Sequence, residues 1–472
     1  MAVQTSSHWG GEWMLGEGKR SVRLNPADGR TEIATSVSLS EDQLDQAIAV
    51  TAEGGRKWRR MTIEARCVIL RRVGQILNDR SEALGRELSA EQGKVLAEGI
   101  GEVRRAAAIF EYYGRLSTQQ IAEVYASSEP GQEFRVSYHA VGTVGVVTPW
   151  NFPIAIPAWK IAPALAYGNS VVWKPASYVP LLAYRLMEAM VDAGVPAGVV
   201  ALTIGSGAFG QRIVEHPSID AVTFTGSTGV GRQLIETCGK LMKPLQAELG
   251  GKNVTIVAAD ANLERAADAI AVGAFSGNGQ KCTATSRVVV EASVAEELGR
   301  LLKDRVRDST MGDPLDPRTV VGPVVSEQDQ GRIEALLQDV ASTRTKNSPS
   351  EGWFVAPTVV DLDAPEGVFW RDEIFGPVVA MVKADNFRGA LELANDSEFG
   401  LAAAVFTNDI RNAHEAQETL EVGMLNLNAP TTGGQPHVPF GGWKNSGFGP
   451  REQGAEARAF FARSRTTMQT VL

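Results

Sequence analysis

The sequence predicts an α/β fold built on parallel sheets. Short apolar strands alternate with helices from Val141 to Gly239, the same alternation returns over 252–430, and helix-spaced apolar residues run through 41–118. Strands separated by helices of this size form βαβ units, which assemble into parallel sheets. At 472 residues the chain exceeds one ordinary domain and suggests two or three.

Within 41–118, Leu44, Ala47, Ile48, Trp58, Ile69, Leu70, Val73, Ile76 and Leu77 recur at helical spacing. Ser40-Glu41-Asp42-Gln43 has the spacing of a capping box, with acidic residues in the first turn. Residues 119–140 alternate loosely (Phe134-Arg135-Val136-Ser137-Tyr138) and read as an extended arm strand. Strands are then expected at 142–148, 171–173, 199–204 and 221–224, with helices at 161–167, 181–193, 209–216 and 229–239. The second series places strands at 254–257 and 288–290 and helices at 263–275 and 295–307. Residues 308–366, rich in Asp, Pro, Ser and Gly, read as loops, with the strongest turn signal at Asn347-Ser-Pro-Ser-Glu-Gly. The tail, 453–472, ends in polar and β-branched residues.

A net charge of −9 and a pI near 5.3 leave no general basic face, which argues against a nucleic-acid or membrane-surface partner. The three cysteines (Cys67, Cys238, Cys282) and five histidines are scattered, so no metal site is expected. Few cysteines fit a reducing cytoplasm. The N-terminal residues lack the charged and apolar regions of a signal peptide, and Pro, Lys and Gly break each apolar stretch short of a membrane span.

The chemistry concentrates in a few glycine-rich segments. Cys282 lies in Gly279-Gln280-Lys281-Cys282-Thr283, and Glu248 in Glu248-Leu249-Gly250-Gly251-Lys252-Asn253. A thiol and a carboxylate are what an enzyme needs to attack a carbonyl and later hydrolyse a thioester. Asn151, in Pro149-Trp150-Asn151-Phe152-Pro153, follows a strand, where ligands of parallel sheets bind, and its amide can stabilise an oxyanion. Lys174-Pro175-Ala176-Ser177 offers a lysine to a ribose or phosphate. Phe224-Thr225-Gly226-Ser227-Thr228-Gly229 closes a strand and opens a helix whose free N–H groups can hold an anion, without the GxGxxG fingerprint. Taken singly, these also read as a buried inert thiol, a turn asparagine and a solvated lysine.

In order, Pro-Trp-Asn-Phe-Pro, Lys-Pro-Ala, Phe-Thr-Gly-Ser, Glu-Leu-Gly-Gly-Lys, Gly-Gln-x-Cys, Glu-Ile-Phe-Gly-Pro and Pro-Phe-Gly-Gly-x-Lys-x-Ser-Gly closely resemble the aldehyde dehydrogenase superfamily, from about Glu12 to the C-terminus. The resemblance implies a doubly wound cofactor domain (1–120 and 141–248), an α/β catalytic domain (249–435) and a β oligomerisation arm (121–140 and 453–472). It implies that Cys282 is the nucleophile, that Asn151 and the Cys282 N–H form the oxyanion hole, and that Glu248 is the general base. Lys174 and Glu373 match the groups that hold the cofactor's riboses. Trp150, Ala176, Gly226, Ser227, Leu249 and Phe375 complete the implied cofactor set. The thiolate would attack an aldehyde, hydride would pass to NAD or NADP, and water would release the acid. Relatives that pass the acyl group to coenzyme A lack the glutamate, so Glu248 favours hydrolysis. An arm that pairs a neighbour's sheet edge implies a homodimer or homotetramer.

Ser177 replaces the glutamate that would repel a 2′-phosphate, so NADP is expected to be tolerated or preferred. Resembling succinic semialdehyde enzymes carry arginines where this chain has Ser276 and Trp159. The segments 150–169 and 447–453 look instead like 2,5-dioxopentanoate (α-ketoglutaric semialdehyde) dehydrogenases. The alternative is a broad-range or aromatic aldehyde enzyme, since Phe152, Ile156, Trp159 and Phe440 suit an apolar tunnel. Lys281 either lowers the Cys282 pKa, attracts an acidic substrate or points to solvent. A non-catalytic binding relative would not need Cys282, Glu248 and Asn151 together.

Overall fold

The computed structural model describes residues 2–118, 122–345 and 348–470. The turn signal at Asn347 and residues 119–121 and 471–472 of the expected extended segments lie outside them.

The first sheet has eight strands in the spatial order 447–448, 245–248, 221–225, 143–147, 170–174, 200–202, 7–9, 12–14. The central five are parallel, and the outer ones pair antiparallel. From 143–147 the chain winds outward through 170–174 to 200–202. It then returns to the other side of 143–147 with 221–225 and 245–248. The reversal between 143–147 and 221–225 is a topological switch point, where ligands of doubly wound sheets bind beyond the carboxyl ends of the strands. Trp150–Asn151 and Gly226–Ser227 follow these two strands.

The second sheet has seven strands, ordered 342–344, 358–361, 378–384, 285–291, 253–257, 402–406, 424–427, all parallel except the first. Strand Leu245–Glu248 of the first sheet ends just before strand Asn253–Val257 of the second begins. The intervening Leu249-Gly250-Gly251-Lys252 therefore joins the carboxyl edge of one sheet to the amino edge of the other. A third sheet pairs 462–470, 132–140 and 122–126 antiparallel.

The helical run resolves into Glu41–Arg60, Ile63–Asp79, Ser81–Gln92 and Leu96–Tyr113. The Ser40 capping box forms, with Gln43 N donating to Ser40 Oγ and Gln43 Oε1 accepting from Ser40 N. The alternating strands and helices of both series fall near their expected positions, with one clear exception. The helix expected at 161–167 spans Ala155–Ala166. Pro157 lies in its first turn, where no intrahelical N–H is required, so it does not stop the helix. Residues 308–366 are not all loop. They hold helix Glu327–Leu337 and strands Ser342–Arg344 and Thr358–Asp361. Short strands from Val3 to Val37 also escaped the sequence reading, because two- to six-residue strands carry little periodicity. Among the described residues no helix is long and apolar enough to cross a membrane.

Candidate active site

Cys282 is delivered by a left-handed turn. Helix Leu263–Phe275 ends, and Gly277 (φ 59°), Asn278 (φ 61°) and Gly279 (φ 68°) reverse the chain. Glycine adopts this conformation freely, and asparagine tolerates it when its side chain is bonded. Asn278 is: its Nδ2 donates to Gly93 O (3.1 Å) and Pro323 O (2.7 Å), and its Oδ1 accepts from Gly322 N (2.8 Å). Gly279 has no room for a side chain, since a Cβ would stand 2.1 Å from Gly376 O. Beyond the turn, Asn253 Nδ2 donates to Cys282 O (2.7 Å) and Ala284 O (2.8 Å), which pins the nucleophile's own peptide.

Asn151 is buried on the opposite wall. Its Nδ2 donates to Gln280 O at 3.1 Å, which ties the amide to the turn carrying Cys282. One of its two N–H groups is so used; the other remains for a developing oxyanion. The loop is held from behind by a buried ion pair that sequence reading missed. Lys94 Nζ donates to Glu102 Oε2 (2.6 Å) and to Asn151 O (2.9 Å). Glu102 Oε1 accepts from Ile154 N (3.0 Å) and Ala155 N (3.2 Å) at the start of the next helix. Lys94 also lies over the Phe152 ring, 4.1 Å from its centre.

Glu248 closes its strand and is buried. Its carboxyl is pushed well above the usual carboxylate range, first by burial and then by Glu452, against Lys160 and Arg451. Glu452 is also raised, by burial, with Lys160 opposing. Lys160 forms a buried ion pair with Glu452 and donates to Thr223 Oγ1 (2.9 Å). Glu248 Oε2 and Glu452 Oε2 have no hydrogen-bond partner. Gly441 is obligatory beside Glu248, since a Cβ there would sit 2.5 Å from Oε1. Lys160 and Glu452 were also missed. A lone lysine inside the buried run Ile154–Ala166 was the available signal, because a lysine is fully buried only when paired.

The Cys282 thiol is pushed up to about 12, by burial first and then by the charges of Glu373, Glu248 and Glu452. It is therefore a protonated thiol at neutral pH in this state. Lys281 does not point to solvent. Its ammonium pairs with Glu98 (2.9 Å) and donates to Ser276 Oγ (2.8 Å), with a side chain 14% exposed. That corrects the solvent-lysine reading, and Lys281 is not among the charges that shift the Cys282 thiol.

A cleft of about 230 Å³ opens at the switch point, lined by Trp150, Asn151, Gly226, Ser227, Glu373 and Phe375 among others. Trp150 meets Phe375 edge to face, with ring centres 5.4 Å apart. Ser227 precedes helix Thr228–Lys240, whose first N–H groups face this end. Leu249 lies against Gly231, where a Cβ would collide with it at 2.3 Å. Glu373 Oε1 accepts from Gly251 N (3.0 Å), and burial lifts its carboxyl to about 7. An anion site at a helix start, an acidic acceptor and two aromatic faces fit a dinucleotide. Lys174, Ala176 and Ser177 stand outside this lining, at the carboxyl end of neighbouring strand Ser170–Lys174. Lys174 is buried, and desolvation lowers its ammonium to about 8. Trp159 and Phe440 stack with centres 5.5 Å apart.

A doubly wound sheet is thus joined end to end to a second α/β sheet, and a thiol, an amide and a carboxyl lie at the junction. The sequence profile of the aldehyde dehydrogenase family matches residues 13–467, and the chain belongs to that family as an oxidoreductase. Over 97% of its length the chain is 36% identical to the α-ketoglutaric semialdehyde dehydrogenase of Bacillus subtilis, 96% of which is covered. It is also 36% identical, over 93% of its length, to 92% of the vanillin dehydrogenase of Corynebacterium glutamicum. The fold matches the betaine aldehyde dehydrogenase of Staphylococcus aureus in complex with NAD+, with a TM-score of 0.95 at 30% identity, covering 99% of this chain and 96% of that one.

Proposed function

We propose that the protein oxidises a semialdehyde of the 2,5-dioxopentanoate type to its acid, with NADP or NAD, through a covalent thioester on Cys282. The observation that carries the chemistry is the Asn151 amide fixed 3.1 Å from Gln280 O, two residues before the thiol. The Cys282 thiol gives up its proton to water, the resulting thiolate attacks the aldehyde carbon, and the second Asn151 N–H with the Cys282 N–H stabilises the oxyanion. The chemistry supplied by the bound nicotinamide is hydride acceptance, with Trp150, Glu373 and Phe375 among the residues that would hold it. Glu248 then takes a proton from water, which attacks the thioester and frees the acid and the thiol. Its raised carboxyl suits it to hold that proton. Lys174 with small, neutral Ser177 would accommodate a 2′-phosphate. The three-stranded sheet, whose strand 462–470 is exposed almost throughout, would pair subunits into a homodimer or homotetramer.

The whole-chain likeness to an α-ketoglutaric semialdehyde enzyme supports the substrate class. The Trp159–Phe440 aromatic pair favours a second reading, a broad-range or aromatic aldehyde enzyme. Initial rates on 2,5-dioxopentanoate, succinic semialdehyde, benzaldehyde and hexanal, each with NADP and NAD, separate the two. The semialdehyde reading requires kcat/KM at least about tenfold higher for 2,5-dioxopentanoate than for hexanal, about 1.4 kcal/mol of discrimination. Comparable rates on the neutral aldehydes would overturn it.

A further inference from the structure

A second cavity, of about 320 Å³, opens beside the catalytic wall and is lined by Arg105, Thr432, Gly433, Gly434, Phe440 and Gln453 among others. It stands one residue away from the site on two sides. Gly441, after Phe440, abuts Glu248. Thr431, before Thr432, donates its hydroxyl to Thr283 O (2.7 Å), directly after Cys282.

The lysines of this region are paired, whereas two arginines, Arg105 on the cavity wall and Arg451 behind Gly441, have no carboxylate partner among the described residues. Lys94 is paired with Glu102, Lys160 with Glu452 and Lys281 with Glu98. Arg451 packs behind Gly441, where its charge acts on Glu248. Arg105, from helix Leu96–Tyr113, bonds only to neutral acceptors, Gly434 O and Gln453 Oε1 (2.9 Å). Among the described residues no carboxylate pairs with it. Gln453, 1% exposed on the same wall, has an Nε2 without a partner. The Gly434 backbone passes close to the guanidinium, and a Cβ on it would stand 3.4 Å from Arg105 Nη2. A half-buried guanidinium without a counter-ion, beside an unfilled amide donor, is a carboxylate receptor in its donor chemistry.

We propose that Arg105, seconded by Gln453, is the specificity-determining anchor for the substrate's remote carboxylate. The substrate class is then an ω-oxo acid whose aldehyde reaches Cys282 while its carboxylate stays in the outer cavity. The inference rests on the semialdehyde reading and adds the residue that enforces it. It also supplies a cation from a different element in a chain that has Ser276 and Trp159 where resembling enzymes carry arginines.

The test compares wild type, Arg105→Met and Arg105→Lys on 2,5-dioxopentanoate and hexanal, with glutarate as an inhibitor lacking the aldehyde. In Arg105→Met, kcat/KM for 2,5-dioxopentanoate should fall roughly 10- to 100-fold, mainly through KM, and that for hexanal less than about threefold. Arg105→Lys should recover part of the loss, because it keeps the charge and loses the fork. Glutarate should compete with hexanal in wild type and lose potency in Arg105→Met. An equal loss on both substrates, or none, would overturn the anchor while leaving the semialdehyde reading intact. A wild type with no preference for the acidic aldehyde would defeat that reading first, before any variant is made.

Discussion

Two buried lysine–glutamate pairs flank Cys282, and they do opposite things. Lys94–Glu102, behind Asn151, is closed. The lysine bonds Asn151 O, and the glutamate accepts two backbone N–H groups. Lys160–Glu452, behind Glu248, is open. Glu452 Oε2 has no hydrogen-bond partner, nor has Glu248 Oε2, and both carboxyls are held above their usual range. Residue type and burial are the same; hydrogen-bond satisfaction differs. A satisfied buried pair fixes geometry, whereas an unsatisfied one next to a second carboxyl leaves protons in play. On the proposed mechanism, the first pair acts as a clamp on Asn151 and the second as a proton store.

Glu248→Gln has the largest expected effect. If the open side handles the water proton, steady-state turnover falls about 10²- to 10⁴-fold, and a stoichiometric burst of reduced cofactor survives. Loss of burst and turnover together would mean that Glu248 serves the first half-reaction. The same variant tests the electrostatics. The Glu248 charge raises the Cys282 thiol, so its removal lowers the thiol pKa, and the pH profile of Cys282 alkylation should move to lower pH. A profile that stays in place would separate the two groups.

Lys94→Met breaks the clamp. It leaves Glu102 charged and unpaired in the core, so stability should fall by about 3–5 kcal/mol in denaturant unfolding. Activity per folded molecule should also fall, because Asn151 O loses its donor, and the pH profile should not move. Glu452→Gln is the contrasting case and the smaller effect. Glutamine keeps an oxygen for Lys160 to donate to, and Lys160 also keeps Thr223 Oγ1, so the cost should stay under about 3 kcal/mol. Its charge is the second cause of the raised Glu248 carboxyl, and removing that charge lowers the Glu248 pKa. The ascending limb of kcat against pH should therefore shift to lower pH. If Lys94→Met shifts the profile and Glu452→Gln only destabilises, the assignment of clamp and store is reversed.

The sequence displayed what reacts better than what supports it. Cys282, Glu248 and Asn151 each sit in a segment whose glycines or prolines follow from a sharp turn, and such turns are local in sequence. Lys94 and Glu102 sit in the helix-spaced run 41–118, and Glu452 in the segment 447–453, with no local mark of burial on any of them. Their burial depends on partners up to 292 residues away, such as Ile154 for Glu102, Asn151 for Lys94 and Lys160 for Glu452. Lys160 alone carried a signal, as a charge inside an apolar helix. The same limit explains the fold. Strands alternating with helices were legible because the period is local, whereas the N-terminal strands gain their identity only by pairing, as 7–9 does with 200–202. Arg105 was invisible for the converse reason, since what marks it is the absence of a partner.

Lys281–Glu98 sharpens the comparison from the surface side and carries the smallest effect. The pair lies within one residue of the nucleophile, is partly exposed, and is backed by Ser276 Oγ. The charges that set the Cys282 thiol are carboxylates, and Glu98 neutralises the Lys281 ammonium at 2.9 Å. Lys281→Met should therefore cost about 0.5–1 kcal/mol of stability, as partly exposed pairs do. It should change kcat/KM by less than about threefold on acidic and neutral aldehydes alike. A loss confined to acidic aldehydes would place the substrate's carboxylate at Lys281 instead of Arg105. The clamp and the proton store would stand unchanged, because neither depends on which cation receives the far end of the substrate.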